Sequence, residues 1–292
     1  QIGVAPEPLF REPNHRYSAE VPAVHHQAVL AAVTEILKTA RMRLPTFLMF
    51  GAGLLVATSA SAQSRDPRAE ALITRWIEAA GGQRLWDNVR DIQYTITTVW
   101  YDSTGQEARR RPRYVWIKKN DKGFRVRVER TEAEGKYVQI WNGAPHASLN
   151  GAALADTARA VREVEYVAGD LTYWIGLPWK LRDPGVNLTY QPTENAEVVH
   201  VTFGDGVGKN DGDRFWYYWH DRNSPFPTEV HYIEEGLSDA DRRRLALSEL
   251  RSIGPGKYFS VRTIKSAQGT PVRALIVTDV VVNRGISDSV FR

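Results

Sequence analysis

The chain has 292 residues, a formal net charge of +4 and no cysteine. The absence of cysteine excludes disulfides, zinc–thiolate sites, cysteine nucleophiles and a membrane anchor on a lipidated cysteine. The positive charge is small for this length, so it does not indicate binding to nucleic acid.

An uncharged apolar segment early in the chain predicts a secretory signal peptide. Basic residues flank Met42, an apolar run of about 14 residues follows, and Ala60-Ser61-Ala62 supplies the small residues that a signal peptidase reads. A membrane-spanning helix, the alternative reading, needs about 20 apolar residues. We expect residues 42–62 to be a cleaved signal peptide and residues 1–41 to be an upstream extension outside the fold. Cleavage between Ala62 and Gln63 would release a soluble periplasmic protein with no lipid anchor.

The remaining part, 63–292, has the length of one domain and opens with an amphipathic helix. Asp66-Pro67 is a typical N-cap followed by proline in the first turn, and Gly81-Gly82 ends the helix. Between them the apolar residues recur at spacings of three and four, which gives one apolar stripe. The stripe consists of Ala69, Leu72, Ile73, Trp76, Ile77 and Ala80.

Strand patterns dominate the rest of the chain. Phe124, Val126 and Val128 alternate with charged residues, for example, which predicts a strand with one buried face. A second helix is predicted over 153–168, and the aromatic stretch 171–185 has no clear period. About eleven strands are predicted, over 89–102, 109–119, 123–132, 136–143, 186–191, 196–204, 213–220, 227–234, 242–252, 256–266 and 271–283. These elements predict an α+β domain, a curled antiparallel sheet with two main helices packed against it.

The aromatic side chains are the first candidates for a functional site. If the curled sheet leaves space between itself and the helices, aromatic residues would line an apolar ligand cavity there. The alternative is ordinary core packing, which takes up most aromatic residues in any domain. The cavity-lining candidates are Trp100, Tyr114, Trp116, Trp141, Trp174, Trp179, Trp216 and Trp219.

Other patterns give weaker indications. The acidic loop 204–213 has oxygen ligands that suit calcium but lacks the EF-hand spacing, and a plain hairpin loop explains it equally well. The basic runs 109–113 and 241–244 could meet phosphates or lipid headgroups, although we interpret them as a solvated sheet face. No G-x-S-x-G elbow or P-loop is present, so we predict no catalytic residue, no metal site, no cofactor and no enzymatic activity.

Six stretches, taken in order, carry a resemblance to a known family. They are AEALITRWIEAAGGQRLWDNVRDI, YTITTVWYD, YVQIWNG, YWIGLPWKLRDPGV, FWYYWHDRNSPFPTEVHY and VTDVVVNRGISDSVFR. Over most of 66–292 the chain resembles the LolA-like superfamily of bacterial periplasmic proteins, the outer-membrane lipoprotein-sorting fold. The resemblance implies an incomplete, strongly curved β-barrel with helices packed on its concave face, whose apolar interior holds acyl chains.

These expectations favour a periplasmic lipid- or lipoprotein-binding carrier that holds an apolar ligand between sheet and helices. Its partners would be lipid or lipoprotein acyl chains and the envelope membrane proteins that load or receive the cargo, and we expect a monomer. One alternative is a cell-envelope interaction module with a solid core and no ligand cavity. Another is an exported hydrolase, which needs an acid–base pair that the sequence does not display.

Overall fold

The computed structural model describes residues 64–292 apart from 122, 155–157, 205–206, 208–211, 235 and 267. The expected signal peptide, its cleavage site and residues 1–41 lie outside the described residues. In the described part of the chain, none of the helices combines the length and the apolar character that crossing a bilayer requires.

The first helix, α1 (Pro67–Ala79), lies where the sequence predicts it. The Asp66 side chain accepts hydrogen bonds from the backbone N–H groups of Arg68 at 2.7 Å and Ala69 at 3.3 Å, which caps the helix start. The apolar stripe of α1 is buried. A short helix, α2 (Gln83–Asp87), follows, and the sequence did not predict it because five residues are too few to display a helical period.

Within the described residues, thirteen antiparallel strands form one curved, open sheet. They are β1 (Asp91–Tyr101), β2 (Glu107–Asn120), β3 (Gly123–Glu132), β4 (Gly135–Trp141), β5 (Pro145–Leu149), β6 (Ala152–Ala153), β7 (Val186–Tyr190), β8 (Glu197–Phe203), β9 (Arg214–Trp219), β10 (Glu229–Ile233), β11 (Arg243–Ile253), β12 (Gly256–Lys265) and β13 (Pro271–Val282). Their order is β6-β5-β4-β3-β2-β1-β13-β12-β11-β10-β9-β8-β7. Strands β1 to β6 therefore follow one another from the middle of the sheet to one edge. The chain then crosses to the opposite edge, where β7 lies, and strands β7 to β13 follow one another back until β13 pairs with β1.

The structure differs from the predicted elements around the crossover. The count of about eleven strands was too low because β5 and β6 have only five and two residues and show no apolar alternation. The second main helix, α3 (Ala158–Ile175), begins and ends later than the predicted 153–168. Its last turn was read as irregular because aromatic residues on several sides of the helix hide the period. Three short 3₁₀ helices, Trp179–Arg182, Asp239–Asp241 and Asp288–Phe291, complete the described elements.

The main core lies between the helices and one face of the sheet, which we call the inner face. Residues of α1 and α3 belong to one buried cluster with alternate residues of the strands. Trp76 of α1 is 2% exposed, and its ring centroid lies 5.5 Å from that of Tyr217 and 6.0 Å from that of Trp219 on β9. The opposite, outer face carries smaller clusters, one of which buries Ile286 and Phe291 of the C-terminal segment. The helices thus cover the inner face.

Candidate ligand-binding site

A cavity of about 420 Å³ lies between α3 and the inner face. Strands β3 and β4 line it from one arm of the sheet, and β7, β8 and β9 line it from the other. Strands far apart in the sheet order meet here because the sheet is curved. The apolar lining includes Phe124, Val126, Trp141, Ala168, Tyr173, Pro184, Val186, Phe203, Val207 and Phe215.

Phe215 lies at the centre of an aromatic cluster in the cavity wall. Its ring centroid is 5.0 Å from that of Tyr173 and 5.9 Å from that of Trp174, both on α3, and 6.1 Å from that of Phe203 on β8. The hydroxyls of Tyr173 and Tyr217 are 2.7 Å apart, and burial raises the pKa of both, so they stay protonated. The wall is therefore apolar, and the paired hydroxyls satisfy each other.

The polar part of the lining is mainly acidic. Glu165, Asp170, Asp183 and Asp213 border the cavity together with Lys180. Lys180 forms an ion pair with Asp183, and its ammonium group lies 5.1 Å from the ring centroid of Phe124. The one lysine of the lining is thus already held by a carboxylate and an aromatic ring.

Arginine side chains cover a second region of the inner face. Trp100 of β1 pairs with Arg109 of β2 and Arg273 of β13, and Ile96, which is in the core, pairs with Arg113. Cross-strand partners share a face of the sheet, so these arginines lie on the inner face. The same registers place six arginines there, which we call the arginine face: Arg109, Arg111, Arg113, Arg130, Arg262 and Arg273.

Three carboxylates lie against the arginine face. Glu132 pairs with Arg111 at 3.2 Å and also with Arg130, whose guanidinium lies 3.7 Å from Glu163 of α3. The third is Asp170 of α3, which accepts a hydrogen bond from Trp174 Nε1 at 2.8 Å. Burial raises the pKa of Asp170, and the charges of Arg262 and Arg113 partly oppose that rise. Asp170 lines the cavity as well, so the cavity and the arginine face meet there.

Arg262 is the most deeply buried member of the arginine face, with only 5% of its surface exposed. Its guanidinium lies 4.6 Å from the ring centroid of Trp174, and its Nη1 atom has no hydrogen-bond partner among the described residues. Arg113 is half-buried, and its Nε atom lacks a partner within the same part of the chain. Burial lowers the pKa of both groups, although an arginine stays charged at neutral pH.

Four of the candidates chosen from the sequence lie on or near the inner face around the cavity. Trp141 lines the cavity, and Trp174 contacts Phe215 of its wall. Trp219 packs in the core against Trp76. Trp179 borders a smaller apolar cavity of about 50 Å³ and stacks on Trp86 at 5.4 Å.

The other four candidates lie away from the cavity. Trp100 lies in the arginine face, with the guanidinium groups of Arg109 and Arg111 5.1 and 5.2 Å from its ring centroid. Tyr114 is 50% exposed, and Trp116 packs against the outer-face cluster of the C-terminal segment. Trp216 belongs to another outer cluster and stacks on His200 at 4.5 Å.

Sequence reasoning missed most of the cavity wall and the arginine face. It weighed the tryptophans, whereas phenylalanines from the ends of β3, β8 and β9 supply much of the lining. It read the run 109–113 as solvated, whereas Arg113 is half-buried on the inner face. The signal that could have found them is that positions 109, 111 and 113 of one strand share a face, although arginine at position 110 obscures it. Of the candidate calcium loop, Asp213 lines the cavity, and most of its other residues lie outside the described ones.

Comparison with known proteins gives structural neighbours only. No family model matches the chain, and no curated protein matches it. The chain is similar to a DUF1329 family protein from Desulfovibrio piger (12% identity, TM-score 0.49, 77% of this chain and 97% of that one). It is similar to a putative outer membrane lipoprotein-sorting protein domain from Vibrio parahaemolyticus (9% identity, TM-score 0.47, 77% of this chain and 96% of that one). It is also similar to a LolA superfamily protein from Nitrosomonas europaea (14% identity, TM-score 0.45, 77% of this chain and 97% of that one).

Proposed function

We propose that the protein is a periplasmic carrier that holds a lipid, or the acyl chains of a lipoprotein, in the cavity between α3 and the inner face. The cavity itself is the observation that supports this proposal. Its volume of about 420 Å³ lies within the range of small-molecule sites, roughly 300–1,000 Å³, and its wall is aromatic and aliphatic as in such sites. An interaction module with a solid core would have no need of this space.

In this proposal, burial of the ligand's acyl chain supplies the affinity. Each buried CH₂ group contributes about 0.8 kcal/mol. About ten buried methylenes would contribute about 8 kcal/mol, and the cost of ordering the acyl chain and the protein is subtracted from this gain. The proposed function needs binding and release but no chemical step. Export by the expected signal peptide belongs to the same proposal, and N-terminal sequencing of the periplasmic protein should find Gln63 first.

Loading and release require the cavity to open. Ala168, Thr172 and Tyr173 of α3 form one wall, and the strands form the others. Because the strands are held by the hydrogen bonds of the sheet, α3 is the wall that can move at lower cost. Envelope membrane proteins that load or receive the cargo would act on this helix, with the carrier working as a monomer.

The test uses two matched variants of β3. Val126 and Val128 are both 2% exposed and belong to the same core cluster, but only Val126 lines the cavity. Val126→Phe should narrow the cavity and Val128→Phe should not, while both overpack the core at a cost of about 1–3 kcal/mol. The protein is purified from the periplasm, and its bound lipids are measured by native mass spectrometry and by extraction.

The wild type and Val128→Phe should carry lipid, and Val126→Phe should carry clearly less. Equal lipid occupancy in the two variants would show that the ligand lies elsewhere. A wild-type protein that is always empty, and whose thermal unfolding does not respond to added lipid, would refute the proposal.

A further inference from the structure

We propose that the ligand carries an anionic phosphate or carboxylate headgroup and that the arginine face binds it. This inference rests on the proposed function, because the arginine face would hold the head of the same molecule whose chain fills the cavity. The headgroup chemistry is that of an oxyanion attached to a lipid chain.

The charge of the region favours an anion. The six guanidinium groups outnumber the carboxylates of Glu132, Glu163 and Asp170, so these nine groups carry a charge of +3 when all are ionised. Glu234, whose charge also acts on Asp170, is paired with Arg243. Two of the carboxylates, Glu163 and Asp170, belong to α3, which leaves the strands themselves more strongly positive. Guanidinium groups bind phosphate and carboxylate through paired hydrogen bonds. An oxyanion is therefore the ligand group that this face can recognise.

Hydrogen bonding supports the same conclusion. Leaving a buried donor without a partner is unfavourable, and more so when the donor is charged. Arg262 is 5% exposed, yet its Nη1 atom has no partner among the described residues, and the Nε atom of Arg113 is in the same condition. An oxyanion within hydrogen-bonding distance of either group would satisfy its unpaired donor and offset part of the cost of burying it.

The position of Asp170 sets the orientation of the ligand. This side chain borders the cavity and is close enough to Arg262 and Arg113 for their charges to act on it. The other carboxylates that line the cavity, Glu165, Asp183 and Asp213, would repel an anion. The headgroup would therefore pass Asp170 towards the arginine face, and the chain would lie against the aromatic wall around Phe215.

The experiment compares three probes by isothermal titration calorimetry below the micelle concentration. Dodecyl phosphate combines chain and anion, dodecyl maltoside has the same chain with a neutral head, and inorganic phosphate has the anion alone. Dodecyl phosphate should bind at least about 10-fold more tightly than dodecyl maltoside, because hydrogen bonds to charged groups add to the burial of the chain. Inorganic phosphate should bind far more weakly than dodecyl phosphate.

Matched arginine variants assign the effect to the arginine face. The double variant Arg109→Gln/Arg273→Gln removes two of its members, both at least partly exposed. The control Arg110→Gln/Arg251→Gln removes two charges that are 61% and 63% exposed at the side chain, and Arg110 lies beside Arg109 on the opposite face of β2. The first variant should lose about 10-fold in affinity for dodecyl phosphate and keep its affinity for the maltoside. The control variant should keep its affinity for both dodecyl phosphate and dodecyl maltoside.

Each contrary result has a distinct meaning. If dodecyl maltoside binds as tightly as dodecyl phosphate, the headgroup inference is wrong and the carrier proposal stands. If neither dodecyl phosphate nor dodecyl maltoside binds, the headgroup inference and the carrier proposal are both wrong. If inorganic phosphate binds as tightly as dodecyl phosphate, the arginine face is an anion site independent of any chain. If both double variants weaken binding equally, the effect is general charge attraction and the inference is overturned.

Discussion

Trp76→Ala should cause a large loss of stability, because this side chain joins α1 to the inner face. Trp76 is 2% exposed, and its ring centroid lies 5.5, 6.0 and 6.4 Å from those of Tyr217, Trp219 and Phe259. Truncation of a buried tryptophan to alanine costs about 3–5 kcal/mol. We expect the upper half of this range, because β9 and β12 are held in the sheet and cannot collapse into the space.

Urea unfolding followed by far-ultraviolet circular dichroism measures this cost. A domain has a free energy of unfolding of about 5–15 kcal/mol, so a loss of 4–5 kcal/mol, about a third or more of the total, shifts the midpoint visibly. Trp100→Ala is the control, since Trp100 is partly exposed and its ring contacts are two arginines, worth about 0.5–1 kcal/mol each. If Trp76→Ala costs no more than Trp100→Ala, then α1 does not pack on the inner face as described.

Two further predictions concern buried carboxylates. Asp91 is 4% exposed and accepts backbone hydrogen bonds from Arg284, Gly285 and Ile286 at 2.8, 3.1 and 3.4 Å, so Asp91→Ala should cost about 3 kcal/mol in urea unfolding. Asp288→Ala removes a carboxylate from an exposed ion pair and should cost much less, and equal costs would contradict this prediction. Burial raises the pKa of Asp170 above its usual 3.8, so its contribution to stability is present below pH 3.8 and is lost as the pH rises through the folded-state pKa. Asp170→Asn should therefore gain stability relative to the wild type as the pH rises from about 4, and a pH-independent difference in unfolding free energy would contradict the pKa assignment.

Local patterns in the sequence predicted much of the fold. The stripe of α1 and its Asp66 cap are complete within 15 residues, and the long strands alternate with a clear period, so both could be read without knowledge of the tertiary structure. The two strands that the sequence missed, β5 and β6, are defined by their pairing with β4 and with each other and not by composition. The end of α3 was missed because its aromatic residues contact several neighbours at once.

The candidate site was less accessible to sequence reasoning, because it depends on curvature. Phe124 of β3 and Phe215 of β9 are 91 positions apart and line one cavity only because the two arms of the sheet curve towards each other under α3. Positions 109, 111 and 113 of one strand share a face, but arginine also stands at position 110, so the sequence alone did not show which face of the strand α3 covers. Asp170 lies in the part of α3 beyond residue 168, where the predicted helix ended, so its position beside the cavity could not be inferred from the sequence.

A crystal structure with a brominated ligand would test the central claim most directly. The protein is crystallised with 12-bromododecyl phosphate, and anomalous diffraction locates the bromine atom at the end of the chain. The carrier proposal predicts bromine inside the cavity, against Val126, Phe203 or Phe215, and the headgroup inference predicts the phosphate at Arg262. Bromine found only on the outer face, or a filled arginine face with an empty cavity, would contradict the account.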